Sequence, residues 1–378
     1  MLKKVTVTLL LVCAGLFAQT SEHPRFSSRA AEMAASLDDS DLVAQLLLTG
    51  IDGKASLVPA MRSLLEKIPA GGIMLFRYNL DSSKAEVKAL LSETSAILFD
   101  RTGIPPFMAV DHEGGLVNRF GAVAERLPSA FSFWELSQRE GREAALEKAE
   151  TLYRRSAIEI RDLGINMVLG PVAEILDENN RLFLETRSYG PDPDFTQAMV
   201  SLYIKCMDSS GIASVVKHFP GNSIADPHSA VPIIKADKDA LDEMVRPFTE
   251  IIRGMEAPAL MISHVMVPVL DSQKNASLSR PVIEDWLRGE LGFKGIVLAD
   301  DYSMGAVSAL GLGPAAAAVE ALNAGVDMIM VWPQNMAAVH AAIMDALGDG
   351  RLSRERLLEA AGRIIAGKLR YGIINISE

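Results

Sequence analysis

Short apolar runs alternate with amphipathic stretches along most of this chain, and that alternation limits the fold more than any other feature. The runs are Gly72-Ile73-Met74-Leu75-Phe76, Phe107-Met108-Ala109-Val110, Asn166-Met167-Val168-Leu169, Ile212 to Val216, Leu260-Met261-Ile262, Gly295 to Ala299 and Val326 to Val331. Each is brief and rich in branched residues, the pattern of a strand buried on both faces. Between them lie Ser137 to Leu163, Val87 to Leu98, Asp239 to Met255 and Pro314 to Ala324, which read as helices. Such alternation implies a parallel sheet covered on both sides. The fold expected is α/β, a single (β/α)8 TIM-like barrel with one irregular strand. A doubly wound open sheet is the alternative, weakened because no Gly-x-Gly-x-x-Gly follows the first strand. The eighth strand is the unclear one. Leu46-Leu47-Leu48 before Thr49-Gly50 supplies it, but Leu42 to Leu48 reads equally well as helix.

Composition narrows the function classes. With 378 residues and 49% hydrophobic content, the chain can bury a large core. A net charge of -11 argues against nucleic acid and against an anionic membrane surface as partners. Lys3, Lys4 and the apolar run Val5 to Phe17 resemble a secretory signal peptide, taken as residues 1–18, with residues 19–378 as one barrel domain. Export to a periplasm or cell surface is therefore expected, and a membrane contact only through an uncleaved leader. Once the leader is removed, Cys206 is the sole cysteine, so no internal disulfide forms; its helical, apolar setting reads as a buried inert thiol. No Cys/His spacing of a zinc site is present, and no metal or cofactor is expected. A monomer is the default.

Titratable residues end several runs: Asp111, then Lys217 and His218, then His264, then Asp300 and Asp301. Strand ends converge on one face of a barrel, and that face carries catalysis. Asp300 is the candidate nucleophile. Its neighbour Asp301 points to the other side and suits capping. Asp226-Pro227-His228 reads as a proton-transfer pair, an imidazole with a carboxylate to orient it. Asp111 to Arg119 encloses a glycine pair suited to a tight turn, with Asp111 and Arg119 able to bond sugar hydroxyls. Arg187 in Glu185-Thr186-Arg187-Ser188-Tyr189-Gly190 is a further donor, or else half of an ion pair.

These motifs together resemble glycoside hydrolase family 3, in its bacterial β-N-acetylglucosaminidase (NagZ-type) branch. The resemblance rests on Gly71 to Phe76, Asp111 to Arg119, Arg187 to Gly190, Lys217 to Gly221, Ser263-His264-Val265, Ala299 to Met304 and Ala324 to Asp327. It implies a retaining exo-hydrolase with Asp300 as nucleophile, His228 as acid and then base, and Asp226 as its partner. It also implies that Asp111, Arg119, Arg187, Lys217 and His218 hold a small carbohydrate, a GlcNAc-containing fragment of peptidoglycan or chitin. The chain departs from the family where Asn222-Ser223 replaces the usual His-Gly and Pro227 replaces a serine, in a shortened loop. A phosphorylase, a β-glucosidase of the same family and a non-catalytic sugar binder are the competing readings.

Overall fold

The computed structural model describes residues 24–225, 227, 231–255 and 257–375. The leader therefore lies outside the described residues, as do Asp226 and His228. In chain order the strands are β1 (Leu47–Gly50), β2 (Gly72–Leu75), β3 (Phe107–Gly114), β4 (Val117–Asn118), β5 (Met167–Val172), β6 (Ala213–Phe219), β7 (Ala259–Ile262), β8 (Met266–Val267), β9 (Asp271–Asn275), β10 (Ile296–Ala299) and β11 (Met328–Val331).

Neighbours β1, β2, β3, β5, β6, β7, β10 and β11 pair in parallel in that order, and β11 pairs back onto β1. The sheet is thus a closed barrel of eight strands wrapped by helices. Closure explains the continuous apolar runs: side chains fill the interior on one side and meet helices on the other. Every residue of β1, β2, β5, β6, β7 and β10 is buried.

The ambiguous eighth segment turns out to be both helix and strand. Asp39–Gln45 is helical, capped by the Asp38 side chain on the Asp41 amide, and β1 follows after a single residue. β1 is regular and pairs on both edges. The irregularities fall elsewhere, as register shifts at Leu169/Gly170 and between Val216 and Phe219. The expected helix over 137–163 breaks at Gly141 into Ala130–Glu140 and Arg142–Leu163.

The barrel floor is held by charge. Asp327, immediately before β11, is fully buried and accepts hydrogen bonds from Arg288, Arg356, Arg363 and the Val297 amide. Burial alone would raise its pKa, but the three guanidiniums and the amide outweigh that and lower it. One carboxylate thereby ties the helical segments Pro281–Glu290 and Arg354–Arg370 to the strand ends. Cys206 is buried, and burial pushes its thiol up to about 11, consistent with an inert role. Among the described residues, no helix is long and apolar enough to cross a membrane.

Candidate active site

The upper end of the barrel collects the polar strand ends. β3 runs further than its apolar core, through Gly114, so Asp111 and Glu113 share one side of the strand and His112 takes the other. His112 packs away from the opening, its Nε2 2.7 Å from Ser156 Oγ and its ring edge-on to Phe120. The predicted turn follows. Gly114 has φ 87° and Gly115 φ 55°, and a side chain at Gly114 would collide with the Pro128 carbonyl. That turn folds β4 back and returns Arg119 to Asp111, where its Nη2 lies 2.8 Å from Oδ2.

Lys217, on β6, places Nζ 2.9 Å from Asp111 Oδ1 and 2.6 Å from Glu113 Oε1. Arg187 grips Glu113 with both fork nitrogens, at 2.7 and 2.9 Å. Arg187 Nη2 also lies 3.4 Å from His218 Nε2, and His218 Nδ1 lies 2.6 Å from Glu174 Oε1. One continuous network therefore joins all five predicted sugar-holding residues, Asp111, Arg119, Arg187, Lys217 and His218.

The electrostatics follow from burial against pairing. Desolvation opposes charge on Glu113, yet Lys217 and Arg187 overcome it and hold the carboxyl far below the usual range. Asp111 is lowered for the same reason, with Lys217 and Arg119 as the cations. Lys217 is only 2% exposed, and its two carboxylates keep its pKa raised despite that burial. The charges are fixed before any ligand arrives, which suits orientation of a neutral polyhydroxylated ring.

Glu113 and Glu174 complete this network and were not among the predicted site residues. Glu113 was readable from alternation with Asp111. Glu174 was hidden by a strand boundary: the apolar run read from the sequence stops at Leu169, but β5 continues to Val172, which puts Glu174 two residues past a strand end.

Asp300 stands directly after β10. Its Oδ1 accepts the Asp301 amide at 2.8 Å, and its own amide donates to the Ile262 carbonyl. Asp301 binds a backbone amide, the other role open to one member of the pair: it accepts from the Ser303 amide and hydroxyl in a local turn, while the N-cap of the next helix is Met304. His264 Nε2 donates to the Asp301 carbonyl at 3.1 Å, which places a ring proton on Nε2, and Nδ1 lies 2.8 Å from Ser277 Oγ. Burial lowers the His264 pKa, opposed by Asp300. His264 is thus a neutral support behind the paired carboxylates.

Side-chain hydrogen bonds anchor the base of the loop after β6. The Ser263 hydroxyl bonds the Gly221 carbonyl, Asn222 Nδ2 donates to Glu174 Oε1 at 3.0 Å, and Ser223 Oγ accepts from the Ile233 amide at 3.2 Å. Two of the residues that depart from the family pattern, Asn222 and Ser223, therefore secure the loop base. Further along, the carbonyl of Pro227 accepts from the amide of Ala306 at 2.9 Å.

A family model described as the glycosyl hydrolase family 3 N-terminal domain matches residues 40–366. The chain belongs to glycosyl hydrolase family 3. It is 31% identical to the β-hexosaminidase of Stenotrophomonas maltophilia over 85% of this chain and 100% of that one. A structure of a family 3 β-N-acetylglucosaminidase from Paenibacillus superposes with a TM-score of 0.83 at 31% identity, covering 91% of this chain and 64% of that one. β-Hexosaminidase A of Pseudoalteromonas piscicida is 26% identical over 82% of this chain but only 55% of its own length, so the chain spans about half of that longer relative. The relatives it resembles within family 3 are named as β-hexosaminidases and a β-N-acetylglucosaminidase.

Proposed function

We propose that this protein is a retaining exo-β-N-acetylglucosaminidase that releases terminal β-linked N-acetylglucosamine from peptidoglycan or chitin fragments. The observation that carries the proposal is the hydrogen bond from the Ala306 amide to Pro227. It ties the residue between Asp226 and His228 to the segment that follows Asp300. This bond supports a reading in which the loop bearing the proton-transfer pair works over the segment that follows the nucleophile.

In this reading the network from Arg119 to Glu174 holds the sugar by its hydroxyls. Asp300 attacks the anomeric carbon through the oxygen that does not bond the Asp301 amide. His228, oriented by Asp226, gives its proton to the glycosidic oxygen as the carbon–oxygen bond breaks. Water then attacks the glycosyl-Asp300 ester, returning a proton to His228 and freeing the carboxylate. The leader would place this reaction outside the cytoplasm.

The test is release of nitrophenol from the β-N-acetylglucosaminide and from the β-glucoside, each with and without phosphate, by the wild type and by Asp300→Asn. The expected result is hydrolysis of the first substrate alone, independent of phosphate, lost about a thousandfold or more in the variant. Phosphate dependence would make it a phosphorylase, preference for the glucoside a glucosidase, and binding without turnover a sugar-binding protein. Activity retained in Asp300→Asn would remove the nucleophile assignment.

A further inference from the structure

The barrel mouth has two chemically different halves. The ends of β3, β5 and β6 carry the charged network described above. The ends of β11, β1 and β2 carry Trp332, Gly50 and Phe76, with Tyr78 just beyond. We infer that Trp332, Phe76 and Tyr78 form a stacking platform for the second sugar ring, the one on the leaving-group side of the bond to be cleaved. This inference rests on the glycosidase reading above and adds to it a determinant of substrate length.

The three rings are held as a set. Phe76 and Trp332 lie 4.9 Å apart at 20°, and Phe76 and Tyr78 lie 6.3 Å apart at 1°. The indole Nε1 of Trp332 donates to Asp301 Oδ2, and the Tyr78 hydroxyl donates to the Ile51 carbonyl. Gly50 matters to the arrangement because a Cβ there would make a tight 3.3 Å contact with the Phe76 ring. Tyr78 is nonetheless 42% exposed, and Trp332 and Phe76 are only half-buried. Large aromatic groups left open to water but fixed in orientation can bind a flat apolar face with little loss of freedom.

A pyranose offers such a face in its axial C–H groups, while its hydroxyls lie around the edge. The charged half of the mouth serves the hydroxyls of the sugar to be released. Asp301 links the halves, since it adjoins Asp300 in sequence and anchors Trp332 through its side chain. The platform thus begins at the nucleophile's sequence neighbour and occupies the half of the mouth that the charged network leaves free, which is why we assign it to the leaving-group ring.

The experiment compares kcat/KM for N,N'-diacetylchitobiose with that for methyl β-N-acetylglucosaminide, whose leaving group is too small to stack. Tyr78→Ala should lower the ratio of the two about tenfold, and Tyr78→Phe, which keeps the ring, should hold it near the wild-type value. An unchanged ratio in Tyr78→Ala would overturn the platform. Calorimetric binding of N,N'-diacetylchitobiose to Asp300→Asn, with and without Tyr78→Ala, gives a second reading that needs no turnover. If the wild type cleaves neither glycoside, the glycosidase reading fails, and the calorimetry still decides: equal affinity in the two proteins rejects the platform, and affinity weaker by about tenfold in the double variant supports it.

Discussion

The His218 ring is braced from behind by Glu174, whose Oε1 lies 2.6 Å from Nδ1 and receives the Asn222 amide at the same time. The carboxylate is buried, so its loss leaves two donors without a partner. Such a loss costs about 1–3 kcal/mol, or roughly thirtyfold in an equilibrium constant near the middle of that range. We expect Glu174→Ala to raise KM by about that factor, with kcat less affected. Glu174→Gln, which keeps an acceptor of the same reach, should recover most of the loss. Steady-state kinetics on soluble, folded variants checks this. A lower melting temperature with unchanged KM would reduce Glu174 to a packing residue.

His228 is the proposed proton donor, and its removal should depend on the leaving group. An aryl aglycone departs with little help, whereas a sugar or alkyl group needs the proton. His228→Ala should therefore slow N,N'-diacetylchitobiose by about a hundred- to ten-thousandfold and nitrophenyl substrates much less. Parallel kcat/KM measurements on both decide it, and equal losses would exclude an acid role.

Asp327 lies at the opposite end of the barrel and touches no part of the site. Replacing it by Ala leaves Arg288, Arg356 and Arg363 without their shared anion. Breaking a buried charge network in this way costs about 3–5 kcal/mol. Urea unfolding should record that loss, while the fraction still folded keeps its kcat. A near-neutral effect would mean that Glu284 and Glu359 already satisfy the arginines.

Lys368 is fully buried, with Nζ 2.9 Å from Gln45 Oε1. Burial brings its pKa down to about 7. In the unfolded chain a lysine titrates near 10.4. Between those values the unfolded chain holds the proton and the folded one does not, so stability rises with pH across the window, and the penalty is fully present below it. The melting-temperature difference between Lys368→Met and wild type should thus favour the variant most near about pH 6 and shrink toward about pH 10. A difference that does not vary with pH would show that the buried amine stays charged throughout.

Much of this molecule was legible in local pattern. Strand runs, the glycine turn after Glu113 and the titratable residues past strand ends follow from chain-local rules, because backbone geometry and side-chain alternation act over a few residues. Those rules placed Asp111, Lys217, His218 and Asp300 at one end of the fold.

Other features depended on partners far along the chain. Leu47 to Gly50 became a strand because β11 and β2 offered edges on both sides, some 280 residues apart in one case and about 25 in the other. Glu113 is a shared anion only because β6 brings Lys217 against β3, and Glu174 is a brace only because β5 carries it to His218. The aromatic half of the mouth likewise exists only once the barrel closes and sets Trp332 against Phe76. The sequence by itself determined seven of the eight barrel strands and most of the chemical groups that end them. Tertiary structure alone decided which groups meet, because a closed sheet joins residues hundreds of positions apart and no local rule extends that far.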